Sequence, residues 1–420
     1  MLALPILALD AQAATITWTG GADGNWFNSA NWSPAQVPTS VDDAVIDANA
    51  SVLIGGAVPA TFNTLILGNT SGTTAPALRV SGTISTSGGL TVQRGAMLRQ
   101  ETTQLSTVGQ LVVADGGVIL HPVNVSSQAF TVNLAVTGNL TVQAGASITA
   151  DGAGYAGGNP KQVGHGPGGG GGSGSKSGAG GGHGGLGGDG TSGAAGGGAY
   201  DNLTSPSDFG SGGGGSQSVA GGPGGGRILL QVGGVFLLDG LVSANGAVGS
   251  EDSYYSTGGG GGGGGTVNIA AVELSGSGSV RANGGAGRSR GGSGGGGGRV
   301  SITISAADSS ALGIQANPGF PVAVSQGMGG GAGVIALRKP GATDYDLIVG
   351  TTSVVPPRGT PLAGSPLTFS SLTLGNATVL IDALGTVNLG ALVTVGSATL
   401  TGGNLIFAAG QPLEVKTGGS

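Results

Sequence analysis

The sequence predicts an all-β fold, a right-handed parallel β-helix with long glycine-rich loop insertions. Short segments alternate between apolar and polar residues with a period of two, and Gly, Asn or Asp stand between them. A unit of strand, turn, glycine excursion and returning strand recurs in the middle of the chain, which is typical of a solenoid. The 96 glycines among 420 residues gather at the same point of that unit. Repeated β-sandwiches are the alternative that the same short strands allow.

The N-terminus predicts export. Residues 1–14 are interpreted as a signal-peptide remnant, because Met1–Leu9 is apolar and Ala11-Gln12-Ala13 fits the small-x-small cleavage pattern. The segment lacks a basic start, so an ordinary hydrophobic N-terminus is the alternative. No later stretch is apolar over the roughly 18 residues that a membrane span needs. We therefore expect an extracellular or cell-surface protein without a transmembrane segment.

Residues 15–50 contain all three tryptophans of the chain: Trp18, Trp26 and Trp32. Aromatic rings cover the open end of a stack well, so we expect this segment to be an N-terminal cap. Stacking of the rings on sugars is the alternative.

Residues 51–151 predict plain coils of the β-helix. Strand-like runs occur at Thr64–Asn69, Leu78–Ile84, Leu90–Ala96, Leu111–Val118 and Leu140–Ile148. Their spacing and alternation indicate many short, half-buried strands.

Residues 152–340 predict coils with glycine insertions. Strands that end in Ala-Asp-Gly, Ala-Asn-Gly or Ala-Asn-Pro enter the excursions at 147–152, 241–246, 279–284 and 313–318. Strands leave them at 227–232, 266–271, 299–304 and 333–338. Residues 341–420 return to plain strands, such as Leu372–Val379, and are expected to add C-terminal coils.

The longest glycine runs are Gly168–Gly172, Gly212–Gly215, Gly258–Gly265 and Gly294–Gly298. Because they occupy equivalent points of successive units, stacking would bring them side by side. Extended glycine chains with three residues per turn could then hydrogen-bond laterally, which side chains would obstruct. Flexible linkers are the alternative.

Composition excludes several classes of function. Charged residues make up 8% of the chain and the net charge is −6, so a nucleic-acid partner is not expected. Cysteine is absent, which excludes disulfides and thiolate chemistry. We expect self-association or contact with neighbouring copies, with surface glycans as a second class of partner.

The chain offers few groups for catalysis, and we expect no enzymatic activity, no cofactor and no metal site. His121, His165 and His183 show no metal-ligand spacing, and the two in the long excursion are expected to be solvated. Most acidic residues stand in turns, where they favour local backbone bonds. The alternative is a polysaccharide-degrading β-helix enzyme, a lyase or glycoside hydrolase. The candidates for its carboxylate pair are Asp42/Asp43/Asp47, Asp201/Asp208 and Glu251/Asp252.

Few large side chains project among the glycines of the excursions. Tyr155, Tyr200, Asp201, Tyr254 and Tyr255 are therefore the candidates for ligand contact, because Tyr and small polar residues form adaptable contact surfaces. Packing of these residues over neighbouring loops is the alternative.

The opening segment resembles a known family. Trp18-Thr19-Gly20-Gly21, Asp23-Gly24-Asn25-Trp26, Asn31-Trp32, Val37-Pro38 and Asp42-Asp43 look like the start of exported bacterial proteins of the autotransporter-associated, β-strand-repeat type. The glycine tracts resemble those of surface adhesins and of certain phage tail-tip adhesins, in which polyglycine helices pack in bundles. The resemblance implies a structural or adhesive role, as a fibre, sheath or surface-layer subunit, and carries no catalytic residues.

Overall fold

The computed structural model describes residues 13–21, 23–174, 177–191, 193–254, 257–288, 291–322, 327–351, 356–363, 367–381, 386–394 and 398–401. For residues 404–407 and 413–415 it describes the backbone alone. The N-terminal segment up to Gln12 and the candidate Tyr255 lie outside the described residues.

Strands dominate the described chain. In order they are β1 (Thr15–Trp18), β2 (Trp32–Ser33), β3 (Asp43–Ile46), β4 (Ser51–Ile54), β5 (Thr64–Leu67), β6 (Ala77–Val80), β7 (Gly89–Val92), β8 (Met97–Gln100), β9 (Ser106–Val108), β10 (Gln110–Val113), β11 (Val118–Leu120), β12 (Val132–Val136), β13 (Leu140–Val142), β14 (Ser147–Thr149), β15 (Arg227–Leu238), β16 (Leu241–Ser243), β17 (Glu251–Asp252), β18 (Thr257–Gly258), β19 (Thr266–Ser275), β20 (Ser279–Arg281), β21 (Arg299–Asp308), β22 (Gly313–Gln315), β23 (Val334–Arg338), β24 (Asp346–Val349), β25 (Thr360–Leu362), β26 (Leu367–Leu374), β27 (Ala377–Ile381), β28 (Thr386–Thr394), β29 (Ala398–Thr401), β30 (Asn404–Phe407) and β31 (Leu413–Val415). A 3-10 turn, Ser29–Asn31, precedes β2.

Most strands pair in parallel and form three stacks. Stack 1 runs through β1, β3, β5, β7, β10 and β13 to the second halves of β15, β19 and β21. Stack 2 is an eight-stranded sheet that runs from β4 through β6, β8, β11, β14, β16 and β20 to β22. Stack 3 runs from β9 and β12 through the first halves of β15, β19 and β21 to β23. The chain is thus all-β with long, mostly parallel sheets.

The register of the stacks aligns apolar residues into ladders. In stack 2, parallel pairing places Val52, Leu78, Leu98, Ile119, Ile148, Val242, Val280 and Ile314 in one row. In stack 1, Leu140 aligns with Phe236, and Phe236 with Leu274. Because side chains alternate across a strand, each ladder lies on one face, and these faces form a continuous apolar core.

The predicted glycine excursions all leave the stacks at the same corner. Each begins after a stack 2 strand, namely β14, β16, β20 or β22, and returns as a stack 3 strand, namely β15, β19, β21 or β23. The strands that the repeat predicts are therefore confirmed. We call the described residues of 153–226, 246–265, 284–298 and 318–333 the glycine bundle.

The three tryptophans lie together at the start of the stacks. Trp32 contacts Trp18 and Trp26 edge-to-face, with both pairs of ring centroids 4.9 Å apart, and all three rings are buried. Residues 24–26 also pair with β4, because Leu53 exchanges backbone hydrogen bonds with Gly24 and Trp26. This segment therefore covers the first edge of stack 2.

After β23 the chain changes direction. β24 pairs antiparallel with β23, and the strands that follow pair in parallel again, β24 with β26, β26 with β28, and β25 with β27 and then β29. They bury a second apolar core, separate from the first, around Leu347, Leu372 and Val387. The expected C-terminal strands are thus present, but they do not continue stack 2.

Candidate functional site

The glycine tract at 258–265 shows how the glycine bundle is built. Its backbone amides donate to three different neighbouring segments in turn, with N···O distances from 2.7 to 3.0 Å. Gly259, Gly262 and Gly265 donate to segment 244–250, Gly260 and Gly263 donate to segment 211–214, and Gly261 and Gly264 donate to segment 293–296. The direction of donation repeats every three residues, which is the period of an extended polyproline II-type helix.

Two other tracts repeat this pattern. Amides of residues 293–298 donate in turn to segments 178–181, 328–331 and 282–285. Amides of residues 210–215 donate in turn to segments 222–225, 179–182 and 162–165. The tracts are therefore hydrogen-bonded to one another through the main chain, so the structure favours the predicted lateral bonding over flexible linkers.

Side chains are excluded from this packing by distance. A Cβ atom built on Gly260 would lie 1.8 Å from the carbonyl oxygen of Ala179, and one on Gly262 would lie 2.0 Å from that of Pro223. Both distances are far shorter than a non-bonded contact between carbon and oxygen, so a side chain does not fit at either position. The glycines are thus required by the close approach of neighbouring backbones.

Turns and bends of the bundle reach the surface of the protein. These turns carry exposed apolar side chains, among which Tyr254 is 85% exposed and Val322 is 63% exposed. Short contacts tie neighbouring turns together, for example the 2.5 Å contact between the hydroxyl oxygens of Ser218 and Thr257. Tyr254 therefore lies on the outer surface of the protein.

Residues 200–209 form a strap across the outer face of stack 3. One or two polar side chains from each of three successive strands donate to backbone carbonyls of the strap. From β15, Arg227 donates to the carbonyl of Ser207. From β19, Thr266 donates to the carbonyl of Asp208 at 2.7 Å, and Asn268 donates to that of Pro206 at 3.4 Å. From β21, Arg299 donates to the carbonyl of Tyr200, and Ser301 donates to that of Thr204 at 2.6 Å. The strap therefore fastens three coils together along the stacking direction.

Asp201 organises the turn of the strap. Its Oδ2 atom accepts the amides of Ser207 and Asp208, both at 2.9 Å, and lies 3.3 Å from Nε2 of His183. Nδ1 of His183 donates to the Gly264 carbonyl at 2.8 Å. His183 is fully buried, which corrects the expectation that it is solvated, whereas His165 is exposed as expected. Sequence reasoning missed His183 because polar residues within glycine tracts usually face water.

The charges under the strap are buried together. Burial raises the pKa of Asp201, but hydrogen bonds and the charge of His183 outweigh it and lower the pKa to about 2. Burial lowers the pKa of Arg299 to about 10, partly offset by Asp201. Burial also raises the pKa of Tyr200 well above its usual range. At neutral pH the strap therefore holds a charged carboxylate beside a charged guanidinium.

Tyr155 and Tyr200 are bound within the protein. The Tyr200 hydroxyl donates to the Phe209 carbonyl and lies 2.7 Å from the Ser211 hydroxyl. The Tyr155 hydroxyl donates to Asp208 at 3.1 Å, and its ring packs edge-to-face on Phe209. Tyr155, Tyr200 and Asp201 are thus brought together, and their contacts are those of packing over neighbouring loops.

A cleft of about 420 Å³ opens beside the strap. Residues 201–204 line one side, and Ala363, Leu367, Thr368 and Phe369 line the other. Leu203 of the strap is buried in the second apolar core. The strap therefore joins the bundle and stack 3 to the C-terminal strands, and Asp201 is the candidate residue that borders open space here.

Within the described part of the chain, no three His, Asp or Glu side chains converge as metal ligands would. The same residues include no helix with the length and apolar character needed to cross a membrane. Comparison of the chain with protein-family models, with curated proteins and with solved structures yields no match.

Proposed function

We propose that the chain is an exported structural or adhesive protein of the cell surface or extracellular matrix, built as a right-handed parallel β-helix. The three parallel stacks, visited in the same order by successive coils, support this architecture over β-sandwich repeats, whose strands pair antiparallel. Right-handed crossovers between parallel strands are strongly preferred in general.

The observation that carries the proposed role is the period-three network of main-chain hydrogen bonds in the glycine bundle. Glycine tracts that pack backbone against backbone leave no room for catalytic side chains between them. The bundle instead serves as a support that presents surface turns, including the exposed Tyr254. This is useful for a sheath, a fibre or an adhesive surface.

The proposed partners are neighbouring copies and surface glycans. The first edge of stack 2 is already paired with residues 24–26 and lies beside the buried tryptophans. Copies of the chain would therefore associate through another surface, such as the outer turns of the bundle.

Hydrogen–deuterium exchange combined with localisation tests the proposal. We expect the chain in the extracellular or surface fraction of the producing cells, and slow exchange of amides in tracts 258–265 and 293–298. Electron microscopy and sedimentation of the secreted material then separate filaments from dispersed adhesive particles. A cytoplasmic location, or rapid exchange throughout both tracts, would contradict the proposal.

The proposed absence of catalysis has its own test. The purified chain is incubated with a panel of acidic and neutral glycans, and product formation is measured. We expect no turnover. Turnover that is lost in Asp201→Asn or Asp252→Asn would show that the chain is a polysaccharide-degrading enzyme instead.

A further inference from the structure

Four stack 2 segments follow one pattern and bond to one another in one register. We call residues 147–151, 241–245, 279–283 and 313–317 the rungs. Each has Ile or Val at its second position, buried or half-buried, and a buried Ala at its fourth. The Ala amide of each of the first three rungs donates to the carbonyl of the third residue of the next rung, at 2.7 to 2.8 Å.

Asparagine side chains add a second ladder. The backbone amide of Asn245 donates to Asp151 Oδ1 at 2.6 Å, that of Asn283 to Asn245 Oδ1 at 2.8 Å, and that of Asn317 to Asn283 Oδ1 at 2.8 Å. Each rung thus accepts one bond from the next through its fifth side chain. Such a ladder fixes the register of whatever segment follows.

The ladder stops at the fourth rung. Stack 2 ends at β22, because the chain reverses direction between β23 and β24 and builds the second core. Among the described residues, neither the Ala316 amide nor Oδ1 of Asn317 has the partner that the equivalent atoms have in the first three rungs.

A cleft lies along this last edge. Its volume is about 470 Å³, residues 313–317 line one side, and Ile335, Ile348, Thr351 and Thr373 are on the lining as well. It combines apolar side chains with an unpaired strand edge, and strand edges bind extended peptides by adding a strand.

We propose that this cleft binds an extended segment of another polypeptide as a fifth rung. The register sets the chemistry of the partner: a β-branched apolar residue, a polar residue and then Ala-Asn, as in Val280-Arg281-Ala282-Asn283. Its apolar residue and its Ala face the cleft, while its fifth-position amide donates to Asn317.

Pro318 limits the length of the partner. In the preceding rungs the following residue is Gly152, Gly246 or Gly284, and its amide donates to the next rung's Asn carbonyl at 2.8 Å. Proline has no amide hydrogen, so this bond cannot form at the fourth rung. The partner is therefore held up to its Asn and not beyond, as a short segment rather than a complete coil.

The test uses the full chain and a labelled peptide that copies residues 277–284. Saturable binding is expected, with slower hydrogen exchange of the Ala316 amide. The same peptide with aspartate in place of its valine is the control ligand, and it should not bind.

Two variants of the chain test the site. Asn317→Ala removes the side-chain acceptor but keeps the amide that donates to Asn283, and should weaken binding about fivefold. Ile348→Lys places a charge in the cleft and should weaken binding more than about tenfold. Thr343→Ala, at an exposed position that does not line the cleft, is the matched control and should bind normally. Absence of binding, equal binding by all variants, or protection of amides only in segments other than residues 313–317 would overturn the proposal.

Discussion

The strand stacks and the glycine bundle belong to the same coils, but side-chain packing stabilises the stacks and main-chain hydrogen bonds stabilise the bundle. In the stacks, apolar ladders such as Leu140, Phe236 and Leu274 bury side chains against one another. In the glycine tracts of the bundle, main-chain amides bond to main-chain carbonyls, and positions such as Gly260 leave no room for a side chain. The stacks should therefore tolerate exchange between apolar residues of similar volume, whereas bundle glycines that lie against a neighbouring backbone should not tolerate an added carbon.

The strongest test of this comparison is a single methyl group in the bundle. Gly260→Ala would place Cβ 1.8 Å from the Ala179 carbonyl oxygen, so two backbones must separate. We expect the bundle to lose more than about 4 kcal/mol of its free energy of unfolding, measured by native-state hydrogen exchange over 258–265.

Gly198→Ala is the matched control for this variant. A Cβ at Gly198 would have no heavy atom within 4 Å, and the site lies in the same glycine bundle. We expect a change of less than about 1 kcal/mol. Similar losses in both variants would mean that backbone flexibility, rather than close packing, determines the effect.

In the stacks, the side chain itself should carry the stability. Phe236 is fully buried between Leu140 and Leu274 in the register of stack 1. Phe236→Ala should lower the free energy of unfolding by about 3 to 4 kcal/mol, because it removes buried surface and leaves a cavity.

Phe236→Leu introduces the residue type that flanks position 236 on both sides of the ladder, Leu140 and Leu274. It should lower the free energy of unfolding by less than about 1.5 kcal/mol. Thermal and denaturant unfolding of the two variants distinguish these values. An equal loss in both would show that the ladder depends on the shape of the aromatic ring.

The sequence allowed the stacks to be predicted far better than the contacts between excursions. Period-two alternation and the Ala-Asn-Gly turns located strands such as β16 and β20, because those signals are local. All glycine residues are identical, so the sequence does not indicate which glycine tract packs beside which. The order of the segments around tract 258–265 therefore could not be predicted.

The candidate site was predicted only in part, for a related reason. Tyr155, Tyr200 and Asp201 were noticed because they are large among glycines, but their partners come from distant positions. Arg299 contacts the strap across 99 residues, and His183 reaches the Gly264 carbonyl across 81. Only the folded backbone brings such groups together.

The junction between the two regions should be sensitive to acid. His121 Nδ1 donates to the Pro122 carbonyl at 2.7 Å, and Nε2 accepts the amide of Arg227, where the first excursion returns. Burial lowers the pKa of His121 to about 4, the charge of Arg227 acts in the same direction, and the Pro122 hydrogen bond opposes them.

The sign of the pH effect follows from this lowered pKa. Between pH 6.5 and about 4 the unfolded chain binds a proton that the folded chain does not, so stability falls as the pH falls. The loss should reach about 3 kcal/mol near pH 4 and then level off. Chemical denaturation across this pH range measures the loss of stability.

His121→Gln should abolish this dependence of the free energy of unfolding on pH. His165→Gln, at an exposed site, should leave it unchanged. An unaltered slope in His121→Gln would assign the acid sensitivity to other groups.

Removing the charge of Asp201 in the strap should change the free energy of unfolding less than Gly260→Ala, Phe236→Ala or the protonation of His121. Its pH dependence should lie in a different pH range from that of His121. Because the pKa of Asp201 is lowered to about 2, the stability that its charge provides is present above pH 3.8 and is lost as the pH falls towards 2. Asp201→Asn should therefore cost about 2 kcal/mol at neutral pH. It should also speed exchange of the Ser207 and Asp208 amides, which the carboxylate accepts.

Asp308→Asn serves as the control, since Asp308 is exposed and accepts hydrogen bonds from Ser310, two residues away. It should change neither stability nor exchange in the strap. If Asp201→Asn left the strap amides protected, the strap would depend on the carbonyl bonds from β15, β19 and β21 alone. The buried charges would then be tolerated rather than needed, and the bundle would be tied to the stacks by the main chain of the strap, just as its own tracts are tied to one another.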